Sequence, residues 1–157
     1  MKIVVLVLLL LVVAAVLSLV VMACSAPAPR VQLVEGKLRP CPDTPNCVSS
    51  ESKSTTAAIA PLAVSGDPVA AWERAGQAVV AIGGRIQSRS EDHLWATFTS
   101  RLFRFVDDLE LRLDEEDRVI HVRSASRVGR SDLGVNRKRV EQLRQQFQTT
   151  SPAGDTP

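Results

Sequence analysis

Tyrosine is absent from this chain, and two Trp and four Phe are its only aromatic residues. Stacking platforms for sugars and for single-stranded nucleic acid are built from such rings, so their scarcity counts against both ligand classes. Histidine is nearly as rare: His93 and His121 stand alone, without the second Cys/His pair that a metal site requires. The net charge is only +2, which gives no reason to invoke a nucleic-acid partner. Neither a phosphate loop nor a nucleophile elbow occurs, and nothing in the sequence calls for a metal or a cofactor.

What the chain has in excess is apolar length at its start. Ile3 to Ala23 is an unbroken apolar run whose only hydroxyl is Ser18. As a helix it would extend roughly 31 Å, enough to cross a bilayer core. Lys2 and the amino terminus precede it, which is the charge order of an export signal. The run is longer than a cleaved signal normally carries, which favours an uncleaved anchor. Its end argues otherwise, because Val21-Met22-Ala23-Cys24 resembles the bacterial lipobox, in which the cysteine becomes the lipidated first residue. The competing reading of Cys24 is an unmodified thiol at the outer edge of a membrane helix. Both fates predict a membrane tether. Lys2 keeps the amino terminus in the cytoplasm, and Arg30, Lys37 and Arg39 are too few and too late to reverse it. The expected place of the remainder is the cell envelope, on the periplasmic or extracytoplasmic side.

The organisation that follows is an anchor over residues 1–24, a flexible tether over 25–37, a single domain over 38–148 and a frayed polar tail over 149–157. The cysteine count is odd. With Cys24 assigned to the apolar segment, Cys41 and Cys47 remain as a close pair around two prolines and an Asx turn residue. Outside the cytoplasm such a pair is most simply a disulfide. A redox pair would have two intervening residues rather than five, and a zinc site would need further ligands.

Within the domain, Asp67 and Pro68 read as N-cap and first residue of a helix running to Ile82, with Val69, Trp72, Gly76, Val79 and Val80 on one face and Gly83-Gly84 as the stop. The period then changes to two. Arg85 to Ser90 and His93 to Thr99 form one expected hairpin around Glu91-Asp92, and Phe105 to Leu113 and Arg118 to Ser126 form a second around Asp114 to Asp117. A symmetric turn sets Leu111 opposite Ile120 and Leu109 opposite Val122 on the inner side, Asp108 opposite Arg123 and Glu110 opposite His121 on the outer side. It also sets Asp107 inside, opposite Ser124, where a carboxylate needs a partner. Ser49 to Ala60 reads as an exposed loop. Leu133, Val140, Leu143 and Phe147 mark a last helix to Gln148, capped by Asp132 or Asn136. The predicted fold is α+β: an antiparallel sheet of four or more strands with two helices packed on one face.

Charge is segregated along the chain. From Asp107 to Asp117 acidic residues outnumber basic ones seven to one, and from Arg123 to Arg144 basic residues outnumber acidic ones seven to two. The structural reading is mutual ion pairing. The functional reading is a site for an anionic small molecule, with Arg123, Arg127, Arg130, Arg137 and Arg139, the hydroxyls of Ser124 and Ser126, and Asp132 and Asn136 at the helix start converging on a carboxylate or phosphate.

Several stretches then come together as a pattern: Cys41-Pro42, Pro45-Asn46-Cys47-Val48-Ser49-Ser50, Phe105-Val106-Asp107-Asp108, Arg123-Ser124-Ala125-Ser126-Arg127-Val128-Gly129, and Ser131-Asp132-Leu133-Gly134-Val135-Asn136-Arg137-Lys138-Arg139-Val140. In these the chain resembles domain-of-unknown-function family 1499, found in bacteria and photosynthetic organelles, over about residues 38 to 148. The resemblance implies a domain boundary and a set of positions, with no assigned reaction. Two function classes follow. One is a non-enzymatic binding or structural module of the envelope, with an anionic small molecule or an envelope protein as partner. The other is a hydrolase or transferase on an anionic substrate, with Asp107 or Asp132 as acid or base and the arginines as clamps.

Overall fold

The computed structural model of the chain describes residues 1–101 and 103–149. The expected apolar helix is present as α1, Lys2–Cys24. By length and composition it can cross a membrane, with a mean hydropathy of 3.5 over an 18-residue window within Lys2–Met22. The segment expected to be a loose tether contains a tight turn. Glu35 and Gly36 both take positive φ, 51° and 73°, and Val34 and Lys37 exchange backbone hydrogen bonds across them, as a two-residue hairpin loop requires.

The domain is built on one antiparallel sheet of six strands: β1 (Cys47–Ser49), β2 (Leu62–Ala63), β3 (Arg85–Arg89), β4 (His93–Thr99), β5 (Val106–Asp114) and β6 (Val119–Ser126). Their order is β1-β6-β5-β4-β3, with β2 also beside β6. Strands β1 and β2 thus share one edge of β6, pairing with its C-terminal and N-terminal halves respectively. This corrects the expectation of an exposed loop from Ser49. Ser49 is a buried strand residue and Ala57 is also buried; their Ser, Thr and Ala neighbours lack period because the segment is held by backbone bonds to β6 and to itself.

Two helices, α2 (Pro68–Ala81) and α3 (Val135–Thr149), cover one face. Leu94 and Ala96 of β4, Leu109, Leu111 and Leu113 of β5, and Ile120 and Val122 of β6 point into the core beneath them, against Trp72 and Val79 of α2 and Val140, Leu143 and Phe147 of α3. Asp67 caps α2 by accepting from the Ala70 N–H at 2.9 Å, with Pro68 at the first helical position. The buried stripe of α2 is broader than expected and shifted toward small residues, Ala71, Ala75 and Ala78 joining Trp72, Gly76 and Val79. Ala71, Ala75 and Ala78 let the helix lie close to the sheet, while Val69 and Val80 are exposed. Gly84 sits where a Cβ would lie 2.6 Å from Val79 Cγ1 and 2.8 Å from Phe98 Cζ, so the end of α2 can meet β4 only without a side chain there.

The second hairpin differs from the symmetric expectation by its register. Glu110 pairs with Arg123, Leu109 with Ser124, Leu111 with Val122 and Asp107 with Ser126. Arg118 leaves the strand and adopts φ 52°, so the four-residue loop is Glu115 to Arg118, and Asp114 accepts from the Asp117 N–H at 3.1 Å. Moving the loop by one residue shifts each pairing by two positions. A shift of two leaves every side chain on its expected face, which is why the core residues were still identified correctly. The last helix begins later than its apolar pattern proposes. Leu133 lies before α3, 94 % exposed at φ 54°. The expected tail falls outside the described residues apart from Thr149, which closes α3.

Candidate functional site

Alternation along β5 turns Asp108, Glu110, Arg112 and Asp114 to the face opposite the helices. That face is not open to water. Leu38 to Pro40 lie over it as a strap, tied to the edge strand β1 by the Cys41–Cys47 disulfide and held by bonds onto the sheet. Arg39 donates from Nε and Nη2 to Glu110. Arg112 donates to Glu51 Oε1 at 2.7 Å, and the other Glu51 oxygen accepts from the Leu38 N–H at 2.6 Å. On the sheet itself Arg123 donates to Glu110 at 3.0 Å, and Arg127 forks onto Asp108 at 2.9 and 2.8 Å. The Trp95 indole N–H donates to the same carboxylate at 2.8 Å.

Glu110 is fully buried between two guanidiniums. Burial alone would raise its carboxyl pKa; the His93 ring, the Arg39 fork and the Arg123 charge bring it down instead to about 2. His93 Nε2 stands 3.8 Å away, beyond direct hydrogen-bond reach, so the close contacts to Glu110 are those of the two guanidiniums. Burial presses the Arg123 guanidinium below its usual range, against the pull of Glu110, yet a group that titrates so far above neutrality stays charged. Burial also lowers His121. Its Nδ1 forms a hydrogen bond of 3.1 Å with Ser50 Oγ, which also accepts from the Val122 N–H.

A second polar group lies on the helix side, at the end of the sheet where β6 leads to α3. Asn136 is fully buried. Its carbonyl accepts from Ser124 Oγ and Arg139 Nη1, both at 2.6 Å, and its amide donates to the Asn46 carbonyl and Ser126 Oγ, both at 3.0 Å. Arg139 also donates to Ser124 Oγ and pairs with Asp107, and its guanidinium lies 4.6 Å from the centre of the Phe98 ring. Asn46 donates in turn to the Gly129 carbonyl at 2.6 Å.

The residues singled out from sequence therefore fall into different environments. Ser124, Ser126, Asn136, Arg139 and Asp107 form this single network. Arg123 and Arg127 lie on the other face, on Glu110 and Asp108. Arg137 donates to the carbonyls of Thr56 and Ala58. Asp132 accepts from the N–H groups of Asn136 at 2.7 Å and Gly134 at 3.1 Å, capping α3. Arg130 is exposed, with no bond to another described side chain. Cys24 is the last residue of α1. Arg39, Asn46, Glu51 and Arg112 were missed by sequence reasoning. The alternation of Leu with charge along β5 marks an outward polar row, but nothing local marks the segment that covers it. Among the described residues no group of three or more His, Cys, Asp or Glu is arranged to hold a metal.

Beside the Asn136 network opens a groove of about 270 Å³ between the β4–β5 loop and the β6–α3 loop. Phe105, Val128, Leu133 and Val135 supply apolar walls, Asp107 and Ser126 a polar one, and Met22 of α1 also borders it. Chemically, this is an α+β domain whose internal cations are matched by carboxylates and carbonyls. The chain belongs to a family of proteins of unknown function, DUF1499, whose pattern matches residues 37–147. Comparison with curated proteins and with solved structures returned no match.

Proposed function

We propose that this chain is a membrane-tethered envelope protein whose domain faces away from the cytoplasm and serves as a binding or structural module. The observation that carries the non-catalytic reading is the state of the arginines. Arg123, Arg127 and Arg139 are each committed to a carboxylate with little exposure, so a small anion would have to displace a charge-assisted bond to reach them. The hydrolase or transferase alternative needs an available carboxylate beside a nucleophile. Asp107 is held by Arg139, and Asp132 is occupied by two backbone N–H groups. Arg130 is the cation of the sequence-derived set that an anionic small molecule or an acidic patch on an envelope protein can still meet.

The tether is tested by labelled palmitate. Incorporation into the wild-type chain and its loss in Cys24→Ala is the expected result; a wild-type chain that retains Met1 and carries no acyl group would establish a spanning helix instead. Digestion of the domain by protease added to spheroplasts is expected under either anchor, and a fully protected domain would overturn the extracytoplasmic assignment.

The binding reading has its own measurement. Arg130→Ala is expected to weaken retention on a phosphate-bearing matrix while changing unfolding free energy by less than about 0.5 kcal/mol, as at an ordinary surface position. Undiminished retention would remove Arg130 from the site.

A further inference from the structure

The two ends of the domain have opposite character. At one end the β3–β4 turn carries Glu91 and Asp92, and the β5–β6 turn carries Glu115, Glu116 and Asp117; the Leu113 N–H donates to the Asp92 carbonyl, joining the two turns. At the other end lie the β4–β5 loop and the β6–α3 loop, joined by the Arg127 N–H donating to the Val106 carbonyl. Here Arg101, Arg104 and Arg130 are exposed, with no bond to another described side chain. The carboxylates nearby are already committed, Asp107 to Arg139, Asp108 to Arg127 and Asp132 to the start of α3. The basic charge of this end is therefore not neutralised from within.

The same end exposes apolar surface. Leu133 projects into water at 94 % exposure from a backbone conformation, φ 54°, that a branched aliphatic residue rarely adopts. Val135 is half exposed, and the partly exposed Phe103 and Phe105 lie on the neighbouring loop with ring centres 5.9 Å apart and planes tilted by 46°. Arg104 too has positive φ, 59°. Met22, at the end of the membrane-length helix, borders the groove between these loops.

An apolar tip ringed by unpaired arginines, next to the point where a membrane helix ends, matches the chemistry of a lipid interface. Aliphatic and aromatic side chains enter the headgroup boundary, and guanidiniums meet lipid phosphates. The acidic turns at the far end orient the domain by the same field. We infer that the loop end of the domain, through Leu133, Phe103 and Phe105 with Arg101, Arg104 and Arg130, seats on the surface of an anionic lipid bilayer. This rests on the tethered reading proposed above and adds that the domain lies against the membrane instead of swinging freely from it.

The experiment uses the full chain in the Cys24→Ala background, which keeps the apolar helix, with a bimane fluorophore on Leu133→Cys or, at the acidic end, on Val69→Cys. Each is reconstituted into vesicles of phosphatidylcholine alone or of equal parts phosphatidylcholine and phosphatidylglycerol, doped with a spin-labelled lipid quencher. Quenching at position 133 is expected to exceed that at position 69 by about threefold in the anionic vesicles. Replacing Arg101, Arg104 and Arg130 by Glu is expected to abolish that excess. A chain that co-floats with the vesicles while its position-133 probe stays unquenched overturns the docking and leaves the tether standing. A chain that does not co-float overturns both. Shielding of position 133 that follows protein density and ignores lipid charge would assign the surface to a second copy and also overturn the proposal.

Discussion

Glu110→Ala is expected to destabilise the domain by about 3–5 kcal/mol, the cost of leaving a buried charge without its mate. Two guanidiniums lose their partner at once. Arg39 sits at the margin of the strap and can turn to water, whereas Arg123 is buried among the strands, so Arg123 carries most of the penalty. Against a total of about 5–15 kcal/mol for a domain of this kind, a urea titration should show a clear fall in midpoint. Joint replacement by Glu110→Leu and Arg123→Met is expected to recover much of the loss, because an apolar pair of similar volume often matches a buried ion pair. A loss below about 1 kcal/mol for Glu110→Ala would put the pair in the class of surface salt bridges.

The same carboxylate sets an acid limit. Its folded pKa of about 2 lies below the ordinary 4.5, so its contribution is fully present above about pH 4.5 and is lost as pH falls toward 2. The difference corresponds to about 3 kcal/mol. Unfolding free energy should therefore decline through that window in the wild type and decline less steeply in the Leu/Met double replacement.

Asn136→Ala is expected to cost about 3 kcal/mol or more. The carboxamide uses both its donors and both acceptor sites, and its removal strands the buried Ser124 hydroxyl proton together with part of Arg139, while the Asn46 carbonyl keeps only the Ser126 N–H. Each stranded buried group costs about 1–3 kcal/mol. The check is the melting temperature, expected to fall by roughly 10–20 °C for a domain of this size. A fall of only a degree or two would show that the network relaxes around the gap.

How much of this was legible from sequence follows from what each signal reports. Period and capping report local structure, and they located α2 through Asp67-Pro68 and both hairpins through their acidic turns. They also assigned the faces of β5 and β6, since alternation survives a shift of two. Register did not survive, because whether Arg118 ends a strand or bends into a loop is decided by one positive φ. Strands β1 and β2 were invisible as strands because they are three and two residues long and gain their order from β6. The charge segregation pointed to pairing but could not name partners. Arg127 lies beyond the last paired residue, Ser126, as its position proposes, but nothing local showed that its side chain reaches back to Asp108. Glu110 was placed opposite His121, when the side chain that neutralises it from above, Arg39, is 71 positions away in the chain. Contacts of that separation have no local periodicity to betray them.

The position of the strap also sets an order of events. The disulfide joins residues 6 positions apart, so its loop closes at small entropic cost and needs nothing from the rest of the domain. Strand β1 is different, because Cys47 pairs with Ala125 and Val48 with Ser124, and β6 is nearly the last element of the chain. On a polypeptide that emerges amino terminus first, the apolar helix and the strap appear early and wait, while the two hairpins, whose contacts are local, can assemble without them. The face around Glu110 then stays wet until β6 has arrived to hold β1, so the strap closes over it only after the second hairpin has formed.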